Sequence, residues 1–481
     1  MSRRMLHLLA VWVVALGLRL AMVALASGWF GGMTSYLLGL SDMLSSGYGY
    51  HRVHMKEWTG YMHAMRARSE ELAAVGRQLD EATRLPLPAP LFAEFYRNPG
   101  YPIFLHLVYR TFGEPLVRNA RLVQAVVASV SPLLAYVLVL LLFGRAGPAL
   151  ATAWLMALHV PLAFIDVVIL ADGFAALLVL AGVVATALAL ARQELRWLAL
   201  AGVLFGCSGY FRSNVLYLWV FVGAALFVGL PRWRRPILGT ALMAACLYGA
   251  LLPWALRNHR ESGRWIWGAT RTGAALWESA GQFPNPWGMK LDDAAARELA
   301  QAQGFESEAT PEADEWFLEM MMRYMREDPA FFVVGAIRRT PFMLAPAYPT
   351  GYRNPNRTHG MYSHYLNEEG LSPFEVLVRK PGYVVAAFWE RLLVMVVGGL
   401  GTVSLVWVAW RNRSRRPGAV ALMLAVPLYY YAVHAPTHVN PRYLAPLIPF
   451  QMMALALAGA DVLAWWRARR AGGGAGAVPA R

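Results

Sequence analysis

The sequence predicts an all-α polytopic membrane protein of about ten transmembrane helices with an extracytoplasmic cap, and three observations carry that prediction. Hydrophobic residues make up 57% of the chain and charged residues only 15%, with a mean hydropathy of +0.39. Apolar runs near the length of a bilayer-spanning helix recur along it. The basic residues behind the net charge of +15 gather in short clusters between those runs: Ser2-Arg3-Arg4, Arg192 to Arg196, Pro231 to Pro236, Arg411 to Arg416 and Arg467 to Arg470. That distribution marks cytoplasmic turns under the positive-inside rule, so no nucleic-acid partner is expected.

Taken in order, span one covers Met5 to Ala26. Its basic start and Ala24-Leu25-Ala26 also fit a cleaved signal peptide, but the run is long and many further spans follow. The first outer loop, 27–118, holds an amphipathic stretch from Tyr36 to Leu44 and a charged helical stretch from Met55 to Thr83. Pro86, Pro88 and Pro90 break that stretch, and Arg97-Asn98-Pro99-Gly100-Tyr101-Pro102 forms a compact turn before an apolar run from Ile103 to Tyr109. Spans two and three (Leu122 to Phe143, Pro148 to Phe164) share the short turn Gly144-Arg145-Ala146-Gly147, and span four covers Val168 to Ala191. Leu198 to Tyr210 and Val215 to Leu230 form a hairpin broken at Phe211-Arg212-Ser213-Asn214, and span seven is Ile237 to Leu256. The second outer segment, 257–389, starts tryptophan-rich (Trp265, Trp267, Trp277, Trp287). It continues with polar helices from Leu291 to Gln303 and Ala313 to Glu327, then an irregular stretch from Pro346 to Tyr365. Leu392 to Trp410 is span eight, and a last hairpin follows.

The expected organisation is therefore an N-terminal membrane module, 1–256, a cap, 257–389, C-terminal membrane helices, 390–470, and a disordered glycine-rich tail, 471–481. Every basic cluster then falls on one side and both termini lie inside, as in a multi-pass protein of the inner (plasma) membrane. Cys207 and Cys246 both sit in apolar spans without a basic neighbour and are expected to be packing residues.

The residues that point to chemistry are ionisable groups at the outer ends of spans, where burial is costly. Asp166 and Asp172 flank the outer turn between spans three and four, Arg212 sits in the next outer turn, Arg257 follows span seven, and Arg442 opens the last span. With Arg97 they put a set of guanidinium groups at one depth, suited to bidentate binding of a lipid phosphate. Each alone also fits a snorkelling arginine or a helix-capping aspartate. His434 and His438 stand four apart, but Pro436 lies between them and no carboxylate joins them, so no metal or other cofactor is expected.

The chain resembles the GT-C-type integral membrane glycosyltransferases, in particular the group with protein O-mannosyltransferases and the lipid A aminoarabinose transferase. The likeness rests on Tyr36 leading to Ser46-Gly47-Tyr48-Gly49-Tyr50, on Arg97 to Pro102, on Phe112-Gly113 with Arg121 to Gln124, on Pro253-Trp254 with Arg257-Asn258, and on Arg442-Tyr443 with Pro446 and Pro449. It implies a sugar carried on a polyprenyl phosphate, transferred on the extracytoplasmic face with inversion. Arg97, with Arg212, Arg257 and Arg442, would bind the donor phosphate, and Tyr36, Tyr101 and Tyr443 would line the substrate site. The family's acid four residues before the tyrosine is here Gly32, so the resemblance leaves Glu94, Asp42 or Asp172 as the catalytic carboxylate. The expected partners are the polyprenyl-phosphate-linked sugar and membrane lipid; the acceptor is not identified. The absence of an acid at Gly32 also fits a non-catalytic GT-C-like subunit that binds a lipid-linked saccharide in an envelope-assembly complex. A transporter would instead carry ionisable groups near the middle of its spans.

Overall fold

The computed structural model describes residues 3–25, 32–52, 55–76, 91–230, 234–344, 372, 375, 378–379, 394–437 and 439–471. The described residues are almost wholly helical, with one two-stranded ribbon. In it β1 (His51–Arg52) pairs antiparallel with β2 (Phe92–Ala93), His51 opposite Ala93 and Arg52 opposite Phe92. Pro346 to Tyr365, His438 and the 472–481 tail lie outside the described residues.

The N-terminal helices are α1 (Arg3–Leu25), α2 (Gly32–Ser45), α3 (Met55–Ala74), α4 (Gly100–Phe112) and α5 (Leu116–Ala128). The amphipathic and charged stretches of the first loop thus form α2 and α3. The turn at Arg97 ends sooner than its composition suggests, because α4 already begins at Gly100. Pro102 falls in its first turn, where a missing N–H leaves no carbonyl unmet. Gly100 is needed there, since a Cβ would stand 2.7 Å from the Tyr210 carbonyl oxygen.

Next come α6 (Ser131–Phe143), α7 (Ala146–Ala157), α8 (Val160–Ile165), α9 (Asp172–Arg192) and α10 (Arg196–Phe211). After a 3-10 turn, Ser213–Val215, follow α11 (Leu218–Gly229) and α12 (Arg234–Ser262). The expected third span is split. His159 interrupts it, its ring accepting from the Leu162 N–H at 3.1 Å and so starting α8 afresh.

Among the described residues six helical stretches are long and apolar enough to cross a membrane: Arg3–Ala24, Leu116–Phe143, Asp172–Arg192, Arg234–Ser262, Pro417–His434 and Arg442–Arg470. That is fewer than the expected ten. At 1.5 Å per residue the 16 residues of α10 and 12 of α11 reach only about 24 and 18 Å, short of a hydrocarbon layer of about 30 Å.

Beyond α12 a separate helical unit, α13 (Thr272–Ala280), α14 (Asp293–Ala302) and α15 (Pro311–Glu327), closes on its own core of Trp277, Phe317 and Met321. Then come α16 (Pro329–Leu344), α17 (Val394–Asn412), α18 (Pro417–His434), a 3-10 stretch, Pro441–Leu447, and α19 (Ile448–Ala471). Buried Arg339 of α16 ties the unit down. Its guanidinium donates to the Ser279 carbonyl at the end of α13, to Gln282 Oε1 at 2.7 Å and to the Ala435 carbonyl at 3.1 Å.

The largest core joins α6, α7, α9 to α12 and α17 to α19 around side chains such as Phe205, Leu247, Tyr430 and Phe450. A second packs Tyr101, Leu105, Phe164 and Ile169 beside α1 and α5. Between them lies a wholly enclosed ion pair: Arg19 of α1 donates to Asp166 Oδ2 from Nη2 at 2.6 Å and from Nε at 3.0 Å.

Helices α10 and α12 meet backbone to backbone at two glycines four apart, the small-residue spacing of membrane helix contacts. A Cβ on Gly202 would lie 2.2 Å from the Met243 carbonyl oxygen, and one on Gly206 2.6 Å from that of Leu247. This contact fixes α10 against α12 toward their C-terminal ends, where Arg212 and Arg257 lie. Gly206→Leu is therefore expected to push the helices apart and cost roughly 1–3 kcal/mol, read as a lowered midpoint of thermal unfolding in detergent; an unchanged midpoint would show that the contact is not needed.

Candidate functional site

The site is built on the turn from Glu94 to Pro99. Glu94 is wholly buried, and both of its carboxylate oxygens are taken. Oε1 accepts from the backbone N–H groups of Tyr96 at 2.6 Å and Arg97 at 2.9 Å. Oε2 accepts from the Tyr36 hydroxyl of α2 and faces Arg52 Nε at 3.5 Å. A carboxylate holding two successive main-chain donors fixes the chain in a tight turn. Arg52 is itself clamped by Glu306 at 2.9 and 2.7 Å, which binds the turn to the segment before α15.

Arg257 braces the far side of the same turn. Its Nη1 donates to the Glu94 carbonyl at 2.8 Å and to Asn258 Oδ1 at 3.0 Å, its Nη2 donates to the Tyr50 carbonyl, and its guanidinium lies over the Trp254 ring at 5.1 Å. The Tyr50 hydroxyl completes the brace on the carbonyls of Arg97 and Asn98, each at 3.1 Å.

What the brace presents is Arg97. Its guanidinium lies over the Tyr96 ring at 4.3 Å, and Arg271, from the residue before α13, lies over the same ring at 5.1 Å. Arg271 is in electrostatic reach of Tyr443 and Arg442, which continue the group on the 3-10 stretch before α19. Arg442 lies over the Tyr443 ring at 5.2 Å and Arg212 over it at 4.4 Å. Arg212 closes the series on Asp172, the first residue of α9. Four arginines thus run from turn to helix end along two tyrosine rings. Arg97 Nε, Arg212 Nε and Arg442 Nε are buried without a hydrogen-bond partner, and so is Asp172 Oδ2. Buried guanidinium N–H groups of this kind suit a multivalent oxyanion.

Two carboxylates sit beside Arg271: Glu278 at 2.9 Å and Asp293 at 2.7 Å. Burial pushes the Glu278 carboxyl up to about 8, with the Asp293 carboxylate adding to the rise and Arg271 opposing it. The four arginines Arg97, Arg271, Arg212 and Arg442 outnumber the three carboxylates beside them, Asp172, Glu278 and Asp293. The balance favours an anion.

Of the residues expected from sequence, the structure gathers Arg97, Arg212, Arg442, Tyr443 and Asp172. It brings Glu94, Arg257 and Tyr36 together behind the turn, as its frame. Tyr101 lies in the core, its hydroxyl donating to Gln124 Oε1 at 2.7 Å. Asp42 is half-buried on α2, six residues and so about 240° around the helix from the Tyr36 that meets Glu94. Asp166 pairs with Arg19 rather than joining Asp172. Sequence reasoning missed Arg271, a lone cation in the tryptophan-rich stretch, and also Arg19 and Arg52, whose partners lie far along the chain. Among the described residues no group of three or more His, Cys, Asp or Glu side chains is arranged to hold a metal ion.

Residues 96–255, from the turn into α12, match the family model for dolichyl-phosphate-mannose-protein mannosyltransferase. No curated protein matches the chain in sequence. Among solved structures it is similar to the oligosaccharyltransferase of Archaeoglobus fulgidus in its apo form, at 14% identity and a TM-score of 0.53, covering 98% of this chain and 52% of that one. It is also similar to the archaeal oligosaccharyltransferase AglB from the same organism in complex with an inhibitory peptide and a dolichol-phosphate, at 13% identity and a TM-score of 0.52, covering 98% and 52%. The chain spans about half the length of these structures. The matched segment is about a third of the chain, and the likeness to the archaeal oligosaccharyltransferase is one of fold. The sequence likeness to the dolichyl-phosphate-mannose-protein mannosyltransferase family covers the residues that carry Arg97, Asp172 and Arg212.

The protonation of Glu278 gives the site a testable pH dependence. Its ionisation above about pH 8 adds a negative charge beside Arg271, so affinity for a polyprenyl phosphate should fall roughly threefold to tenfold between about pH 7.5 and 9, a range in which the phosphate itself is already ionised. Glu278→Gln should reduce that fall in a binding titration; identical profiles for the two proteins would rule Glu278 out as its source.

Proposed function

We propose that the protein transfers a sugar from a polyprenyl-phosphate donor to an acceptor on the extracytoplasmic face, with inversion at the anomeric carbon. The observation that carries this reading is the run of Arg97, Arg271, Arg442 and Arg212 with three buried guanidinium N–H groups unpartnered. A lipid-phosphate donor is supported by the family description matched over residues 96–255 and by the dolichol-phosphate bound in the archaeal neighbour. The side of the membrane rests on charge: the basic clusters between apolar runs fit the inner face, and the site residues lie at the opposite ends of α10, α12 and the last span. In this reading the chain is a ten-span protein of the inner membrane, with α10 and α11 as short spans inside the bundle and α13 to α15 as part of an outer cap. The 1–256, 257–389 and 390–470 divisions follow from the same reading.

In the reaction, an acceptor hydroxyl attacks the anomeric carbon from the face opposite the phosphate, and the bond from that carbon to the phosphate oxygen breaks. The electron pair leaves with the polyprenyl phosphate, whose negative charge the arginines stabilise. The acceptor's proton passes to Asp172 Oδ2, the buried carboxylate oxygen beside the arginines that has no other partner. Glu94, with both oxygens engaged, acts as a positioning residue, and Arg257 and Tyr36 hold it in place. The second reading, a non-catalytic subunit that binds a lipid-linked saccharide, is favoured by one observation: Gly32 stands where the expected acid would be.

Transfer from a radiolabelled polyprenyl-phosphate sugar in membranes tests both readings. Arg97→Ala and Arg442→Ala should each lower transfer by about 100-fold or more, as loss of a group stabilising developing charge does. Lysine at these positions should restore only part of it, because an ammonium lacks the bidentate fork. Asp172→Asn should abolish transfer while still binding donor. Donor binding without transfer in the unsubstituted protein, across all acceptor classes tried, would favour the non-catalytic subunit. Transfer unaffected in the arginine variants would overturn the site.

The two carboxylates separate by stability. Glu94→Gln leaves Arg52 beside a neutral amide and weakens a buried charge-assisted turn, with an expected cost of about 3–5 kcal/mol and a lower unfolding midpoint. Asp172→Asn should shift the midpoint by less while affecting transfer more.

A further inference from the structure

Far along the bundle from the arginine run, the C-terminal ends of α17 and α19 lie side by side. Arg411 of α17 and Asp461 of α19 pair at 3.2 Å, and Arg145, at the start of α7, meets the same carboxylate at 2.7 Å. Beside this pair a groove of about 450 Å³ runs between the two helices. Its lining is a broad face of α19, from Leu455 to Trp466 at three- and four-residue spacing, with Ser404 of α17 at its border. The walls are otherwise apolar, and Val462, Trp465 and Trp466 are exposed.

The same face ends in cations. Arg469 lies over the Trp465 ring at 4.1 Å and Arg470 over the Trp466 ring at 3.6 Å. Just past α17, Arg413 lies over the Trp410 ring at 5.3 Å. Stacking on an indole orients a guanidinium through its face and leaves its N–H edge available. An open apolar groove beside guanidinium groups matches one ligand: an acyl chain attached to an anionic phosphate headgroup.

We propose that this groove is a binding site for an anionic phospholipid, with an acyl chain between α17 and α19 and the headgroup phosphate held by Arg469 and Arg470. The site is independent of the transfer reaction and does not require it. Such a lipid would tie α19, which follows the 3-10 stretch carrying Arg442 and Tyr443, to α17 at the other face of the membrane.

The test uses the full-length protein, purified in detergent and titrated with phosphatidylglycerol or phosphatidylcholine of the same acyl composition, with retained lipid counted by native mass spectrometry. The unsubstituted protein should retain one phosphatidylglycerol with at least about tenfold preference over phosphatidylcholine. Arg469→Gln with Arg470→Gln should bring the two lipids to near-equal retention. Gly459→Leu should lower retention of both by filling the groove; a Cβ there meets nothing within 4 Å, so the substitution is accommodated by the fold. Equal retention of the two lipids by the unsubstituted protein, or an unchanged preference in both variants, would overturn the proposal. So would a dimer that Gly459→Leu dissociates while no lipid is retained, since a second copy would then be what covers the groove.

Discussion

Two backbone N–H groups converge on one buried carboxylate oxygen, and the geometry of the candidate site depends on them. Glu94 accepts from Tyr96 and Arg97 with one oxygen and from Tyr36 with the other, while Arg52 compensates its charge. A carboxylate enclosed in this way is costly unless its bonds are all made. Meeting them requires α2, the ribbon and the start of α4 to be in register at once. The turn is thereby rigid before any ligand arrives, and Arg97 is presented on Tyr96 rather than left to search for its position.

The arginine run works against the usual preference of like charges to separate. Tyr96 and Tyr443 act as spacers, each accepting guanidinium groups on its ring, so four cations are held near one another without direct contact. Asp172 meets Arg212 at one end, and the Glu278–Asp293 pair meets Arg271 within the run. The arginines still outnumber the carboxylates, and the positive charge left over is what draws in a phosphate.

Much of the fold was legible because a membrane bundle writes itself in long apolar runs and basic turns. The break at Arg212, the polar helices α14 and α15 and the amphipathic α2 all follow from local pattern. The splitting of the third expected span at His159 was not legible, since a run of apolar residues does not reveal where a ring nitrogen restarts a helix. In the site, Arg97, Arg212, Arg442 and Asp172 stood out because charges at span ends are rare. The direction of each side chain was hidden. Arg257 shares the depth of the others, yet its guanidinium turns back to main-chain carbonyls. Arg271 had no flanking pattern at all, and only the approach of α13 to Tyr96 and Tyr443 gives it meaning.

The enclosed pair of Arg19 and Asp166 has a bearing on how the chain is made. Arg19 lies within the first apolar helix and Asp166 just past α8, so ribosomal synthesis delivers the cation long before its counter-ion. An arginine in a membrane helix costs about 2.5–3.5 kcal/mol on insertion scales. Helix α1 is therefore a poor free-standing anchor, and it becomes a settled one only when the α8–α9 corner arrives beside it. The order of assembly is written into the charge: α1 waits for the corner that also carries Asp172, so the first helix locks only onto a bundle in which that edge of the site is already in place.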